Sequence, residues 1–118
     1  YIGDAVYELY IRTLLVSEGK STVHKLHSKA VDYVKAKAQS DILHRITDQL
    51  TPDEQDIVRR GRNAKSGTIP KNANVNEYKY ATGFETLLGY LYIKRDFRRL
   101  LKLLELAAGN ARQQRPEV

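Results

Sequence analysis

Apolar residues recur at intervals of three and four along almost the whole chain, and this period constrains the fold more than any other feature. The longest such run begins at Val23 and ends at Leu50. Intervals of three and four place side chains on one face of an α-helix, whereas a strand would need alternation with a period of two. No alternating stretch and no internal repeat is visible. The sequence therefore predicts an all-α fold in a single domain.

The first half of the chain is expected to hold a helix from Ile2 to about Gly19, followed by the long run. That run exceeds an ordinary helix of a small domain. We therefore expect a bend or a break between Val31 and Ser40.

The second half contains a clear helix start and a clear interruption. Thr51 can cap a helix, and proline at the next position suits its first turn. We expect this helix to end near Gly61. Glycines, asparagines and Pro70 then break the pattern over 61–76, which indicates a long loop of the kind that is functional or mobile.

Two further helices are expected, over about 76–94 and 96–108. The domain then covers residues 1–108, and the polar segment 109–118 is expected to be a disordered tail.

Composition excludes several classes of protein for this chain. The 118 residues include no cysteine, which rules out a disulfide framework or a thiolate zinc site. No apolar run approaches the length of a membrane span and no signal peptide is visible, so we expect a cytoplasmic protein. The net charge of +6 favours an anionic partner.

Two short stretches each set a carboxylate into an apolar helical pattern, beside a glycine that allows another backbone to approach. The carboxylates are Asp4 and Glu85. A charge on a core-facing stripe is costly unless a partner neutralises it, and a divalent metal is such a partner. Simpler interpretations remain open at each position. An acid in a first helical turn is common, which accounts for Asp4, and Glu85 could pair with one of the basic residues.

These stretches also carry a resemblance to a known family. Ile2-Gly3-Asp4-Ala5-Val6 resembles the first motif of ribonuclease III domains, and the stretch 81–92 resembles their second motif. The Lys65-Ser66-Gly67 segment is similar to one that stands upstream of that second motif. The resemblance spans nearly the whole chain in the right order. Since no room is left for a double-stranded RNA-binding domain, the chain resembles the bacterial Mini-ribonuclease III group, which is associated with maturation of precursor large-subunit (23S) ribosomal RNA.

The resemblance implies a metal-dependent endoribonuclease that cleaves double-stranded RNA. Asp4 and Glu85 match two ligands of Mg²⁺, with Mn²⁺ as an alternative ion. The family's first motif opens with a glutamate at a position before Tyr1. Its second motif has an aspartate where this chain has Thr82, which offers a neutral oxygen or holds a metal-bound water. The loss of that acid leaves a second hypothesis open: a catalytically inactive relative that binds structured RNA.

Basic and amide side chains gather in the loop before the Glu85 helix. Duplex RNA is recognised mainly through phosphates and 2′-hydroxyls, so such a loop could track an RNA backbone; an ordinary solvated loop is the alternative. The RNA-binding candidates are Arg59, Arg60, Arg62, Lys65, Ser66, Lys71, Asn72, Asn74 and Lys79.

The family resemblance also implies a two-fold homodimer, in which each subunit cuts one strand. Tyr1 matches an aromatic residue that inserts into the partner subunit in that family. We expect Tyr1, Ile2 and Leu9 to help form this interface, with a plain core role as the alternative. A basic helical interaction domain without any RNA role is a third hypothesis, which the two motifs disfavour.

Overall fold

A computed structural model describes residues 1–19, 22–64 and 69–113, and every described element is helical. The helices are α1 (Ile2–Ser17), α2 (Val23–Val34), α3 (Ala36–Ile46), α4 (Pro52–Asn63), α5 (Val75–Ile93) and α6 (Phe97–Gln113), and a short 3₁₀ turn spans Thr47–Gln49. No strand occurs in these ranges, so the predicted all-α fold is confirmed.

The expected break in the long second run is present. Lys35 separates α2 from α3 with an extended backbone (φ −63°, ψ 154°). The buried side chain of Gln39 donates from Nε2 to the carbonyl oxygen of Val34 at 2.7 Å, which satisfies a helix-end acceptor that the break leaves free.

The predicted start of α4 is also confirmed, by a reciprocal cap. The Thr51 hydroxyl accepts from the Glu54 N–H at 3.1 Å, and the Thr51 N–H donates to Glu54 Oε1 at 2.9 Å. The Glu54 carboxylate is buried and accepts from Arg99 of α6 at 2.8 and 2.7 Å. One acidic side chain therefore caps α4 and joins it to α6.

Two expected boundaries differ from the structure. Gly61 lies inside α4, which ends at Asn63, because the glycine makes room for a side chain of α5. The last helix continues to Gln113 and so includes residues 109–113 of the segment for which a tail was expected. No described helix has the length and apolar character needed to cross a bilayer.

Helix α5 is the centre of the fold. It packs against α1, α3, α4 and α6, and its side chains Phe84, Leu87 and Leu88 are fully buried. A helix that is apolar on several faces must be surrounded by others to bury them. The carboxylate of Glu85 is thus carried on a helix that four of the other described helices surround.

Candidate catalytic centre

Glycines set how closely α1 approaches α5. A Cβ added to Gly3 would overlap the backbone carbonyl of Glu85 and lie 2.9 Å from the backbone nitrogen of Gly89. At Gly89, an added Cβ would lie 3.0 Å from the nitrogen of Gly3. The two backbones therefore touch at this crossing, as expected from the glycine beside each carboxylate, and Asp4 follows Gly3 directly.

Glycines also bring α4 against the other side of α5. A Cβ on Gly83 would lie 2.8 Å from the carbonyl oxygen of Val58, and a Cβ on Gly61 would overlap the side chain of Thr86. The segment around Glu85 is held between two helices by backbone contact. Its position has little freedom, since any shift would require a neighbouring backbone to move.

The structure brings Asp4 and Glu85 together. Asp4 is exposed in the first turn of α1 and Glu85 is half-buried in α5. Burial raises the pKa of Glu85 to about 8, with further contributions from a hydrogen bond to the Asp4 carboxyl and from the charge of Asp4. One of the pair is therefore protonated at neutral pH in the absence of a cation, because two carboxylates this close resist joint ionisation.

Glu8 contributes to the same acidic environment, although the sequence did not single it out as a site residue. It lies one turn after Asp4 on α1, and its charge is a smaller cause of the raised pKa of Glu85. Its carboxylate also pairs with Arg12 at 2.7 Å. The helical spacing of Asp4 and Glu8 was the signal in the sequence that could have found it.

The acid pair fits a hard divalent cation. Magnesium takes oxygen ligands, often a few carboxylates, and keeps several waters. Within the described ranges, no cluster of three or more acidic or histidine side chains is placed to hold a metal. Asp4 and Glu85 are two carboxylates that could hold such a cation, and a bound cation would relieve their repulsion.

Thr82 occupies the position where an acid was expected from the family motif. It is half-buried, and its hydroxyl donates to the carbonyl oxygen of Tyr78 at 2.9 Å. Its own carbonyl accepts from the Thr86 hydroxyl at 2.7 Å. The Thr82 hydroxyl therefore uses its proton in a hydrogen bond within α5, and only the lone pairs of its oxygen remain to accept from a ligand.

Several RNA-binding candidates already have protein partners. Arg59 and Arg60 both pair with Asp56, the latter at 3.0 Å. Arg62 donates to the Tyr80 hydroxyl at 3.2 Å.

The remaining candidates lie at the start of α5 and before it. The Asn74 side chain caps α5 by accepting from the Glu77 N–H at 3.1 Å, while Lys71, Asn72 and Lys79 are exposed. Lys65 and Ser66 lie outside the described residues. The structure therefore presents the loop's exposed amine and amide groups on the approach to α5.

The expected interface residues are exposed in this chain. The exposed fractions are 106% for Tyr1, 40% for Ile2 and 68% for Leu9. Ile2 also borders the crossing, with its Cβ 3.7 Å from the position of a Cβ on Gly89. Tyr1, Ile2 and Leu9 make up an exposed apolar patch, of which Ile2 borders the crossing that carries the acid pair.

Helix α1 presents Asp4, and the central helix α5 presents Glu85 beside it. These are the two carboxylates that the resemblance to ribonuclease III motifs predicted. A family model described as "Ribonuclease III domain" matches residues 1–96, and the chain belongs to the ribonuclease III family. The domain is accordingly an endoribonuclease that hydrolyses phosphodiester bonds of double-stranded RNA.

Curated relatives and a solved structure agree with this assignment. A protein named "Mini-ribonuclease 3" from Thermoanaerobacter sp. (strain X514) is 57% identical over 107 residues, which is 91% of this chain and 75% of that protein. A Clostridium tetani protein of the same name is 49% identical, covering 90% and 71% of the two chains. A Fusobacterium nucleatum crystal structure is 30% identical with a TM-score of 0.83, covering 93% of this chain and 88% of that one.

Proposed function

We propose that this chain is a magnesium-dependent endoribonuclease in which Asp4 and Glu85 hold the essential ion. The observation that carries the proposal is the convergence of these two carboxylates from distant parts of the chain. Burial, followed by the hydrogen bond to Asp4 and the charge of Asp4, raises the pKa of Glu85 to about 8. Two adjacent carboxylates destabilise the fold unless they bind a cation or share a proton. The membership of the chain in a nuclease family favours the cation, with Mn²⁺ as an alternative to Mg²⁺.

The chemistry requires an in-line attack of water on a phosphodiester. A bound magnesium ion would lower the pKa of the attacking water and offset the charge on the phosphate and the leaving oxygen. Asp4 and Glu85 would orient the ion from α1 and α5. The backbone positions of the two acids are set before substrate binds, because α1 and α5 touch at Gly3 and Gly89. Thr82 would accept a hydrogen bond from a coordinated water through its free lone pairs.

Asp4→Asn and Glu85→Gln should each abolish magnesium-dependent cleavage of long duplex RNA, because each removes one of two anionic ligands. The measurement is product formation on a gel with magnesium, with manganese and with EDTA, alongside circular dichroism to verify the fold. Asp48→Asn and Glu105→Gln, which change exposed acids on other elements, are the matched controls. Full cleavage activity of either site variant would contradict the assignment of Asp4 and Glu85 as metal ligands. An equal loss of cleavage activity in the control variants would also contradict it.

We also propose that the RNA backbone runs beside the start of α5. Lys71 and Lys79 are exposed cations there, and Arg60 lies on the neighbouring helix. Each phosphate contact that is lost should reduce the slope of log affinity against log salt by about 1. Lys71→Gln with Lys79→Gln should therefore flatten the salt dependence of duplex binding in EDTA, whereas Lys102→Gln on α6 should not. An unchanged slope in the double variant would contradict this surface.

The biological substrate we propose is precursor 23S ribosomal RNA in the cytoplasm, acted on by a homodimer. The family resemblance supports the substrate, and the match to relatives named "Mini-ribonuclease 3" over most of the chain strengthens it. The exposed apolar patch of Tyr1, Ile2 and Leu9 supports the dimer. Mapping of cleavage positions on precursor 23S RNA tests the substrate, since scattered cuts without preferred termini would oppose a maturation role.

A further inference from the structure

A cavity of about 490 Å³ opens between α3, α4 and α5 on the side of α5 away from Glu85. Tyr80, which lines it, precedes Glu85 by five residues and is therefore about 140° away around the helix axis. Buried side chains of Leu43, Leu50 and Val58 form an apolar part of its lining. The volume lies within the range of small-molecule sites, about 300–1,000 Å³. None of the catalytic chemistry uses this cavity.

One wall of the cavity brings three planar side chains into contact. The His44 and Tyr80 rings lie with centroids 4.3 Å apart and a tilt of 37°. The guanidinium carbon of Arg62 lies 5.1 Å from the Tyr80 ring centroid, and Nη1 of Arg62 donates to the Tyr80 hydroxyl at 3.2 Å. This hydrogen bond holds the guanidinium group in place before a ligand binds, which lowers the entropy cost of ordering it. It uses only one of the five N–H donors of Arg62.

The charge of the lining is positive. Arg59 and Arg62 contribute two cations, against the single carboxylate of Asp56. That carboxylate is already shared between Arg59 and Arg60. Nδ1 of His44 faces the Ser40 carbonyl at 2.8 Å, which leaves Nε2 for another partner.

We propose that this cavity binds a nucleoside monophosphate. Guanidinium groups bind phosphate in a fork geometry, and guanidinium and imidazole planes stack on nucleobases. The base would lie against the apolar lining and the rings of His44 and Tyr80, with the phosphate at Arg59 and Arg62. A simple anion would leave the apolar lining uncovered, and a neutral aromatic would offer no anion to the remaining donors of Arg59 and Arg62. The same chemistry is offered by a free mononucleotide and by an unpaired nucleotide at the end of an RNA.

Adenosine monophosphate, adenosine and inorganic phosphate serve as separate probes, titrated into the whole protein in EDTA. Metal is withheld so that no cation at Asp4 and Glu85 can bind the phosphate. The carboxylates alone repel it, and the cavity is then the site that the titration probes. Heteronuclear NMR gives affinity and location together. We expect saturable binding of the monophosphate, at least about tenfold tighter than either fragment. The perturbed amides should lie in α3, in α4 and at the start of α5.

Arg59→Gln and Arg62→Gln should each weaken monophosphate binding by at least about tenfold. Arg59 is largely exposed, with 56% of its side chain accessible, so its variant tests the site without disturbing the core. Arg98→Gln, at an exposed arginine of α6, is the matched control and should bind as the unmodified protein does. Absence of saturable binding, equal affinity in all three variants, or perturbation centred on Asp4 would overturn the proposal.

The two sources of the ligand are distinguished by competition. A 5′-phosphorylated duplex with one unpaired terminal nucleotide, compared with its blunt counterpart, is added in EDTA to the protein saturated with monophosphate. Selective displacement by the overhang identifies an RNA end as the source, and monophosphate binding without displacement identifies the free nucleotide. The cavity lies apart from the acid pair, so inactivity of the enzyme would not affect this result.

Discussion

At the scale of single residues, the surroundings of a carboxylate decide its role. Glu54 and Glu85 both lie on buried or half-buried helix surfaces, yet their pKa values shift in opposite directions. The hydrogen bonds from Arg99 are the main cause of the lowered pKa of Glu54, whereas burial followed by the Asp4 carboxyl raises that of Glu85. Glu54 therefore stabilises the fold as an anion, and Glu85 as an anion costs the fold stability.

This cost predicts a pH dependence of the metal-free protein. Because folding raises the pKa of Glu85 from 4.5 to about 8, its protonated form is favoured in the native state. The contribution of Glu85 to stability should decline from about pH 4.5 to about pH 8 and level off above that. Glu85→Gln lacks this titration and should exceed the unmodified protein by about 1–3 kcal/mol above pH 8, after allowance for solvent screening.

Urea unfolding in EDTA across this pH range measures the difference, with Glu105→Gln as the exposed control. Magnesium should reduce the difference, because it stabilises only the protein that retains the ligand. A constant difference between Glu85→Gln and the unmodified protein at every pH would contradict the raised pKa.

At the scale of elements, glycines determine how the helices cross. Gly3, Gly83 and Gly89 lie where a neighbouring backbone would meet a Cβ, so α1 and α4 approach α5 more closely than larger side chains would allow. Gly109 in α6 has no such neighbour within 4 Å. The same residue type therefore has opposite effects in two helices of one molecule.

Gly3→Ala should destabilise the protein by about 3 kcal/mol or more and abolish cleavage, because the added methyl group overlaps the Glu85 carbonyl and forces α1 from α5. Gly109→Ala should instead stabilise it by about 0.5–1 kcal/mol, because alanine is the better helix former and meets open space. Denaturant midpoints and cleavage rates of both variants provide the measurement. Equal effects at the two positions would show that helix propensity, and not the crossing, governs Gly3.

At the scale of the whole molecule, one helix organises both the catalytic face and the cavity. α5 carries Glu85 on one side and Tyr80 on the other. α1 supplies Asp4 to Glu85, while α3 and α4 supply His44 and Arg62 to Tyr80. The exposed apolar residues of α1 border the catalytic face. A dimer through this patch would place the two acid pairs in a fixed relation, as cleavage of both strands of a duplex requires.

Leu9→Lys should convert a dimer into a monomer without unfolding it, because Leu9 is 68% exposed and contributes little to the core. Light scattering coupled to gel filtration gives the mass, and circular dichroism verifies the fold. Val23→Lys is the matched control, since Val23 is 84% exposed on α2. A monomeric mass for the unmodified protein at micromolar concentration would contradict the homodimer.

Local signals made much of the architecture predictable. Apolar spacing gave the helices, and Thr51 with Pro52 gave the start of α4, because caps act within a single turn. Gly61 led us to expect the end of α4 two residues too early. A glycine can mark a helix end or a close contact, and only the position of Thr86 in the structure shows that Gly61 is a close contact. The acid pair was predicted from motifs, and the spacing of Glu8 one turn after Asp4 could have added it to the site. The effect of Glu8 on the pKa of Glu85 depends on the packing of α1 against α5.

Apolar spacing, caps and motifs establish from the sequence that the chain is helical, where most helices begin and end, and which two acids match a nuclease motif. Those properties depend on neighbours within a few residues. Tertiary packing brings Asp4 to Glu85, Arg99 to Glu54, and His44, Tyr80 and Arg62 together beside a cavity. Each of these depends on which faces of distant helices pack together, and that is settled by the burial of the whole core around α5.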